Sequence, residues 1–205
     1  MHSLLGTMLL AAVLAGPLDV NTADPAALRA AGFTESQAAQ IVRYRTENGA
    51  YLQLEELLAV PQVSKAALAP LRDKLTIGGA SAPPGKVDVE PAKTAPVRVE
   101  EVTAEWRNLY GVIVYAVNAS LVNGGQAPLY AIRVRVDLLD STGAVVATRD
   151  AYNLGAEALL EKPDTDVASL KPIAPSGRDP MRLTIDKTDI SRPFTTTRLT
   201  VLDGR

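Results

Sequence analysis

The chain has 205 residues, 47% of them hydrophobic and 21% charged, enough apolar material for one large domain or two small ones with packed cores. A net charge of −2 gives no bulk attraction to nucleic acid or anionic lipid, so such a partner has to be held by a local patch. There is no cysteine and a single histidine, His2, which excludes disulfides, thiolate metal sites and thiol nucleophiles.

Residues 4–15 form an uncharged apolar run of about the length of a signal-peptide core, and Val13-Leu14-Ala15 places small residues for cleavage before Gly16. The expectation is a signal peptide over residues 1–15; a buried N-terminal helix is the other reading. The run is too short to span a bilayer comfortably, so no transmembrane segment is expected after processing. With no lipobox cysteine, the product is expected to be periplasmic or extracellular and not lipidated. Processing also removes His2, leaving neither histidine nor cysteine. Histidine bases, Ser-His-Asp triads and histidine metal sites are then excluded. The chain is expected to be non-enzymatic, with no catalytic residues, cofactor, metal or small-molecule substrate.

Residues 18–77 read as short helices joined by tight turns. Asp24 and Pro25 open the first, and Gly32 ends it. Thr34 with Gln37 makes a capping box for the second, whose Ala38, Ile41, Val42 and Arg45 recur at helical spacing. Asn48-Gly49 stops that helix. Leu54, Leu57 and Leu58 mark a third, broken at Pro61. Ser64 caps a fourth, running through Ala67, Leu68, Leu71 and Leu75. The pattern is helix, tight turn, helix, given twice.

These residues resemble the helix-hairpin-helix domain of the ComEA-type competence DNA receptors over the whole segment. The resemblance rests on Val20-Asn21-Thr22-Ala23, Leu28, Gly32, Ala38, Ile41, Tyr44-Arg45, Asn48-Gly49, Tyr51, Glu56-Leu57 and Val60. It implies sequence-independent binding of duplex DNA through backbone amides at two hairpins with a Gly-hydrophobic-Gly core. Here the first hairpin is Ala31-Gly32-Phe33-Thr34, with one glycine replaced, and the second is Pro61-Gln62-Val63-Ser64, with neither. The implied DNA-binding residues are Gly32, Phe33, Thr34, Val63, Ser64, Lys65 and Arg72. Thr34 and Ser64 also read as plain helix caps, and Lys65 and Arg72 as ordinary solvated residues. Charge in the segment is balanced, whereas a dedicated DNA binder concentrates basic residues on one face.

Residues 78–97, rich in Pro, Gly and Ala, read as a semi-extended tether. From residue 98 the hydrophobic period becomes two. Ile113, Tyr115, Val117, Ala119 and Leu121 form one inward set; Tyr130, Ile132, Val134, Val136 and Leu138 form another. Asp140-Ser141-Thr142-Gly143 reads as a hairpin turn returning through Val145 and Val146. Short strands are also expected around Val99, Leu170, Leu183 and Leu199. Six to eight such strands suggest an immunoglobulin-like sandwich. Val136-Asp137-Leu138-Leu139-Asp140, followed by Gly143 and Val145, resembles the FxLYD family of envelope and secreted sandwich domains, which implies no catalysis. Arg133, Arg135, Arg149 and Arg182 form either a basic patch or a solvated face. Trp106 with Tyr110 reads as a ligand platform or as core, and Val112 with Val114 as a docking face or a covered central strand.

The expected fold is thus α+β in two separate domains, a small all-α helix-hairpin-helix module over 18–77 and an all-β immunoglobulin-like sandwich over 98–205. Two functions follow: non-specific duplex-DNA binding, in DNA uptake, or docking of another envelope protein on hairpins that have lost DNA binding.

Overall fold

A computed structural model describes residues 16–78, 85–93 and 95–205; the proposed signal peptide lies outside them. A helical N-terminal region is followed by a larger β-sheet region, the expected α+β layout. In the first, α1 (Pro25–Ala31) starts at Asp24, whose carboxylate accepts the Ala27 amide at 2.7 Å. Next comes α2 (Glu35–Asn48), opened by the Thr34 and Gln37 capping box. A 3-10 turn at Leu54–Ala59 follows, and then α3 (Lys65–Leu68), which tightens into a 3-10 turn at Ala69–Lys74. The fourth helical stretch stops short of Leu75. Instead β2 (Leu75–Thr76) pairs in parallel with β1 (Leu18–Asp19), closing the region on itself.

The residues that carry the family resemblance hold this region together. Asn21 exchanges two hydrogen bonds with the backbone of Tyr51, at 3.0 and 2.7 Å. Arg45 donates to the Val20 carbonyl at 2.7 Å, and the Tyr51 hydroxyl donates to the Ile41 carbonyl at 2.9 Å. The Tyr44 and Tyr51 rings stack at 5.0 Å.

The β region consists of a 4-stranded sheet in the order β3-β9-β6-β7 and a 3-stranded sheet in the order β4-β5-β8. The strands are β3 (Lys86–Glu90), β4 (Val97–Leu109), β5 (Val112–Asn123), β6 (Ile132–Leu139), β7 (Val145–Tyr152), β8 (Arg178–Asp186) and β9 (Thr196–Gly204). Both inward sets read from the sequence are buried except Tyr130, which is only partly covered. The Asp140 carboxylate accepts from the Thr142 and Ala144 amides at 2.9 and 3.0 Å, fixing the turn between β6 and β7.

Two expectations are corrected. Residues 86–90, inside the stretch read as a tether, form β3 and pair in parallel with β9. The alternating Lys-Val-Asp-Val-Glu run is masked by Pro and Gly on either side, and edge pairing needs only backbone bonds from so short a strand. Leu170 belongs to no strand; it follows a 3-10 turn at Val167–Ser169 capped by Asp166.

The helical and β regions are packed against each other. Buried apolar residues of both belong to one continuous cluster. Gln53, 3% exposed, sits at the junction. Its Oε1 accepts from the Trp106 indole at 3.0 Å, and its Nε2 donates to the Phe194 carbonyl at 3.0 Å. Trp106 in turn packs against Tyr115 and Phe194. Trp106 is therefore core, while Tyr110 is fully exposed in the turn between β4 and β5; they form no common platform. Val114 is buried on the central strand, whereas Val112 remains exposed.

Candidate nucleic-acid interface

The two hairpins lie side by side. The first connects α1 to α2 through Gly32, Phe33 and Thr34, and the second leads from the 3-10 turn into α3 through Gln62, Val63 and Ser64. A contact between them fixes their spacing: the Ser36 hydroxyl donates to Gln62 Oε1 at 2.7 Å, and Gln37 Nε2 donates to the Gln62 carbonyl at 3.0 Å.

Residues 13–76 match the helix-hairpin-helix motif. Motifs of this kind are associated in general with nucleic-acid binding. No curated protein matches the chain. Among solved structures, IrmA from Escherichia coli is similar at 12% identity, over 54% of this chain and 76% of that one, with a TM-score of 0.34. A likeness at that level bears on neither topology nor function.

Within the helix-hairpin-helix module, the amides of the first hairpin are spent internally. Gly32 donates to the Arg29 carbonyl at 3.0 Å, Phe33 to the Leu28 carbonyl at 3.2 Å, and Thr34 to Gln37 Oε1 at 2.9 Å. The Thr34 hydroxyl accepts the Gln37 amide at 3.2 Å. Phe33 and Val63 point into the core and are buried. Gly32 has φ +125°, which requires glycine, and a Cβ there would lie 2.7 Å from Leu71 Cδ2, which would have to shift.

Around the two hairpins, the amides of Glu35 and Ser36 on α2, and of Gln62, Ser64, Lys65 and Ala66 at and after the second hairpin, have no protein acceptor among the described residues. First-turn amides have no intrahelical partner by construction, and carry the positive end of the helix dipole. The Ser64 hydroxyl accepts the Ala67 amide at 3.2 Å and keeps its own proton for donation. Of the residues implied by the family resemblance, the hairpins thus bring Ser64 and Lys65 forward as donors, while Gly32, Phe33, Thr34 and Val63 serve the fold. Glu35 and Ser36 carry no signal in the sequence, whereas Gln62 is marked there by the glycine missing from the second hairpin.

Charge around the hairpins is mixed. Arg72 is partly buried in an ion pair with Glu55 at 2.8 Å, and Arg43 pairs with Glu47 at 2.7 Å. Lys65, Arg29 and Lys74 are exposed and make no ion pair among the described residues. The exposed Glu35 carboxylate stands at the first turn of α2. On the β region, Arg133 pairs with Asp203 at 2.9 Å, Arg135 with Asp150 at 2.9 Å, and Arg149 with Asp189 at 2.8 Å. Arg182 lies on the other sheet. Arg133, Arg135 and Arg149 are neutralised in pairs and Arg182 stands apart from them, so the four form no basic patch. No helix among the described residues is long and apolar enough to cross a membrane.

Proposed function

We propose that the chain is an exported, non-enzymatic protein that binds duplex DNA without sequence preference, as the ComEA-type receptors it resembles do, and that it acts in DNA uptake. The observation that carries this reading is the pair of adjoining hairpins, whose following helices both begin with unspent amides and whose second hairpin carries the unpaired Lys65. Amides of this kind suit phosphate oxygens and read no bases, which favours binding to any duplex. The apolar run ending at Ala15 supports export to the periplasm or medium, where the β region serves as an FxLYD-like envelope module. Loss of His2 on processing leaves no histidine or cysteine, which supports a binding role over an enzymatic one.

The test is fluorescence anisotropy of a labelled duplex titrated with the full chain across a salt series. Weak binding is expected, with Kd of about 10⁻⁴ to 10⁻⁶ M at physiological salt. With roughly two to four phosphates neutralised, the log-log salt slope should be about −2 to −4. Lys65→Ala should flatten it by about one unit and weaken all sequences alike. Arg72→Ala should change it less, because Glu55 already neutralises that guanidinium.

A second reading is docking of another envelope protein. The pairing of Arg72 with Glu55 and the carboxylate of Glu35 beside the first hairpin favour it, since both reduce attraction to phosphate. Absence of salt-sensitive binding even near 20 mM salt, where electrostatic association is strongest, would put this reading in place of the first.

A further inference from the structure

Gln62 has φ +69°. A non-glycine residue in the left-handed region costs about 1 kcal/mol or more and persists only where surrounding contacts impose it. The contacts that impose it come from the first turn of α2, just after the other hairpin. Ser36 holds the side-chain amide oxygen and Gln37 holds the main-chain carbonyl, at 2.7 and 3.0 Å. Gln37 is itself anchored, because its Oε1 completes the capping box on Thr34 at 2.9 Å. A chain of hydrogen bonds therefore runs from the first hairpin through Gln37 and Ser36 to the backbone of the second. All of these groups are exposed or only partly buried, so the chain contributes little to the core. It does set where Ser64 and Lys65 stand relative to the first turn of α2.

We propose that Gln62 is a positioning residue: by latching onto Ser36 and Gln37 it holds the two hairpins at the spacing needed to engage one duplex backbone at two points. This rests on the DNA-binding reading above and extends it to a residue that touches no DNA itself. Glycine would relax the second hairpin individually; glutamine with a latch exchanges that freedom for a fixed relation between the hairpins. A rigid pair of donor sets binds more tightly than two that must be ordered on binding.

The experiment compares the full chain with Ser36→Ala, Gln62→Gly and the double variant, measuring duplex affinity by anisotropy and melting temperature in parallel. Gln62→Gly keeps the left-handed backbone and loses the side chain, and Ser36→Ala removes its partner, so both should melt close to the unaltered protein. Each should bind duplex roughly threefold to tenfold more weakly, the span expected of a coupled pair. The double variant should be no weaker than the worse single one, because both remove the same contact. The salt slope should stay unchanged, as no charge is altered. If the unaltered chain binds and both variants bind equally well, the latch proposal is overturned and the DNA reading stands. A parallel loss of melting temperature and affinity would also overturn it, reducing the contact to a stabilising one. If the unaltered chain itself fails to bind duplex, the DNA reading fails and the latch falls with it.

Discussion

The Lys187 ammonium, from the 3-10 turn after β8, is ion-paired with the Glu56 carboxylate of the helical region, and both groups are buried. Around them, the Tyr44 hydroxyl and the Leu52 amide donate to Glu56 at 2.9 and 2.7 Å. Lys187 also donates to the Gly49 carbonyl at 3.3 Å and lies over the Tyr44 and Tyr51 rings. Removing one partner leaves an uncompensated buried charge. Glu56→Gln and Lys187→Met should each lower stability by about 3–5 kcal/mol. The double variant should cost clearly less than their sum in urea denaturation; additive losses would mean the pair is not coupled.

Burial raises the pKa of Glu56 above its usual 4.5, against the opposing pull of Lys187 and its hydrogen bonds. The folded state therefore holds that proton more tightly than the unfolded chain does. The resulting stability is fully present below the ordinary glutamate value and is lost as pH rises through the higher folded one. Lys187→Met removes the opposing pull and raises that folded value further, so its stability deficit should shrink as pH falls from the variant's higher folded value to that of the unaltered protein. A deficit independent of pH would refute this assignment.

Asp140 has the opposite sign. Its carboxyl is held below the usual 3.8 chiefly by the Thr142 hydroxyl, with the Ala144 and Thr142 amides and Arg192 adding to the effect. Its contribution is complete above 3.8 and fades as pH falls through the lower folded value. Asp140→Asn should therefore lose less stability than the unaltered protein as pH falls below 3.8, as read by denaturant midpoints at each pH.

Trp106 is the sole tryptophan and is hydrogen-bonded across the junction to Gln53, so its fluorescence reports on the contact between the regions. Thermal unfolding followed by that fluorescence and by helical circular dichroism should give coincident midpoints, as a shared core requires. Gln53→Ala strands the indole N–H and the Phe194 carbonyl, and should cost about 2–6 kcal/mol at 1–3 for each unpaired buried group. Separate transitions in the unaltered chain would show that each region unfolds by itself.

Gly32→Ala meets two obstacles, a φ of +125° and the Leu71 side chain at 2.7 Å. Leu71 can shift but the dihedral cannot relax, so a loss of about 1–2 kcal/mol is expected. Leu71→Val beside it should recover only the steric part. Complete recovery would leave no role for the dihedral.

What the sequence determined by itself is what depends on short range. The Asp24 and Thr34 caps, the hairpin turn at Asp140 and the alternation from Ile113 to Leu121 each involve residues a few positions apart, so local spacing specifies them. The residues of the family pattern were equally legible, and they prove to be the ones that tie the helical region together. Tertiary structure decided everything that required a distant partner. Lys187 reads as an ordinary surface lysine until folding pairs it with Glu56, 131 positions away. Gln53 has no visible role until Trp106 and Phe194 arrive with unpaired polar groups. The run at residues 86–90 looks like tether until β9 offers a backbone edge. Gln62 marks the boundary between the two kinds of knowledge. The missing glycine is plain in the sequence, but the hydrogen bonds that hold glutamine in a glycine's conformation come from a helix 25 and 26 residues earlier, and only folding brings them together.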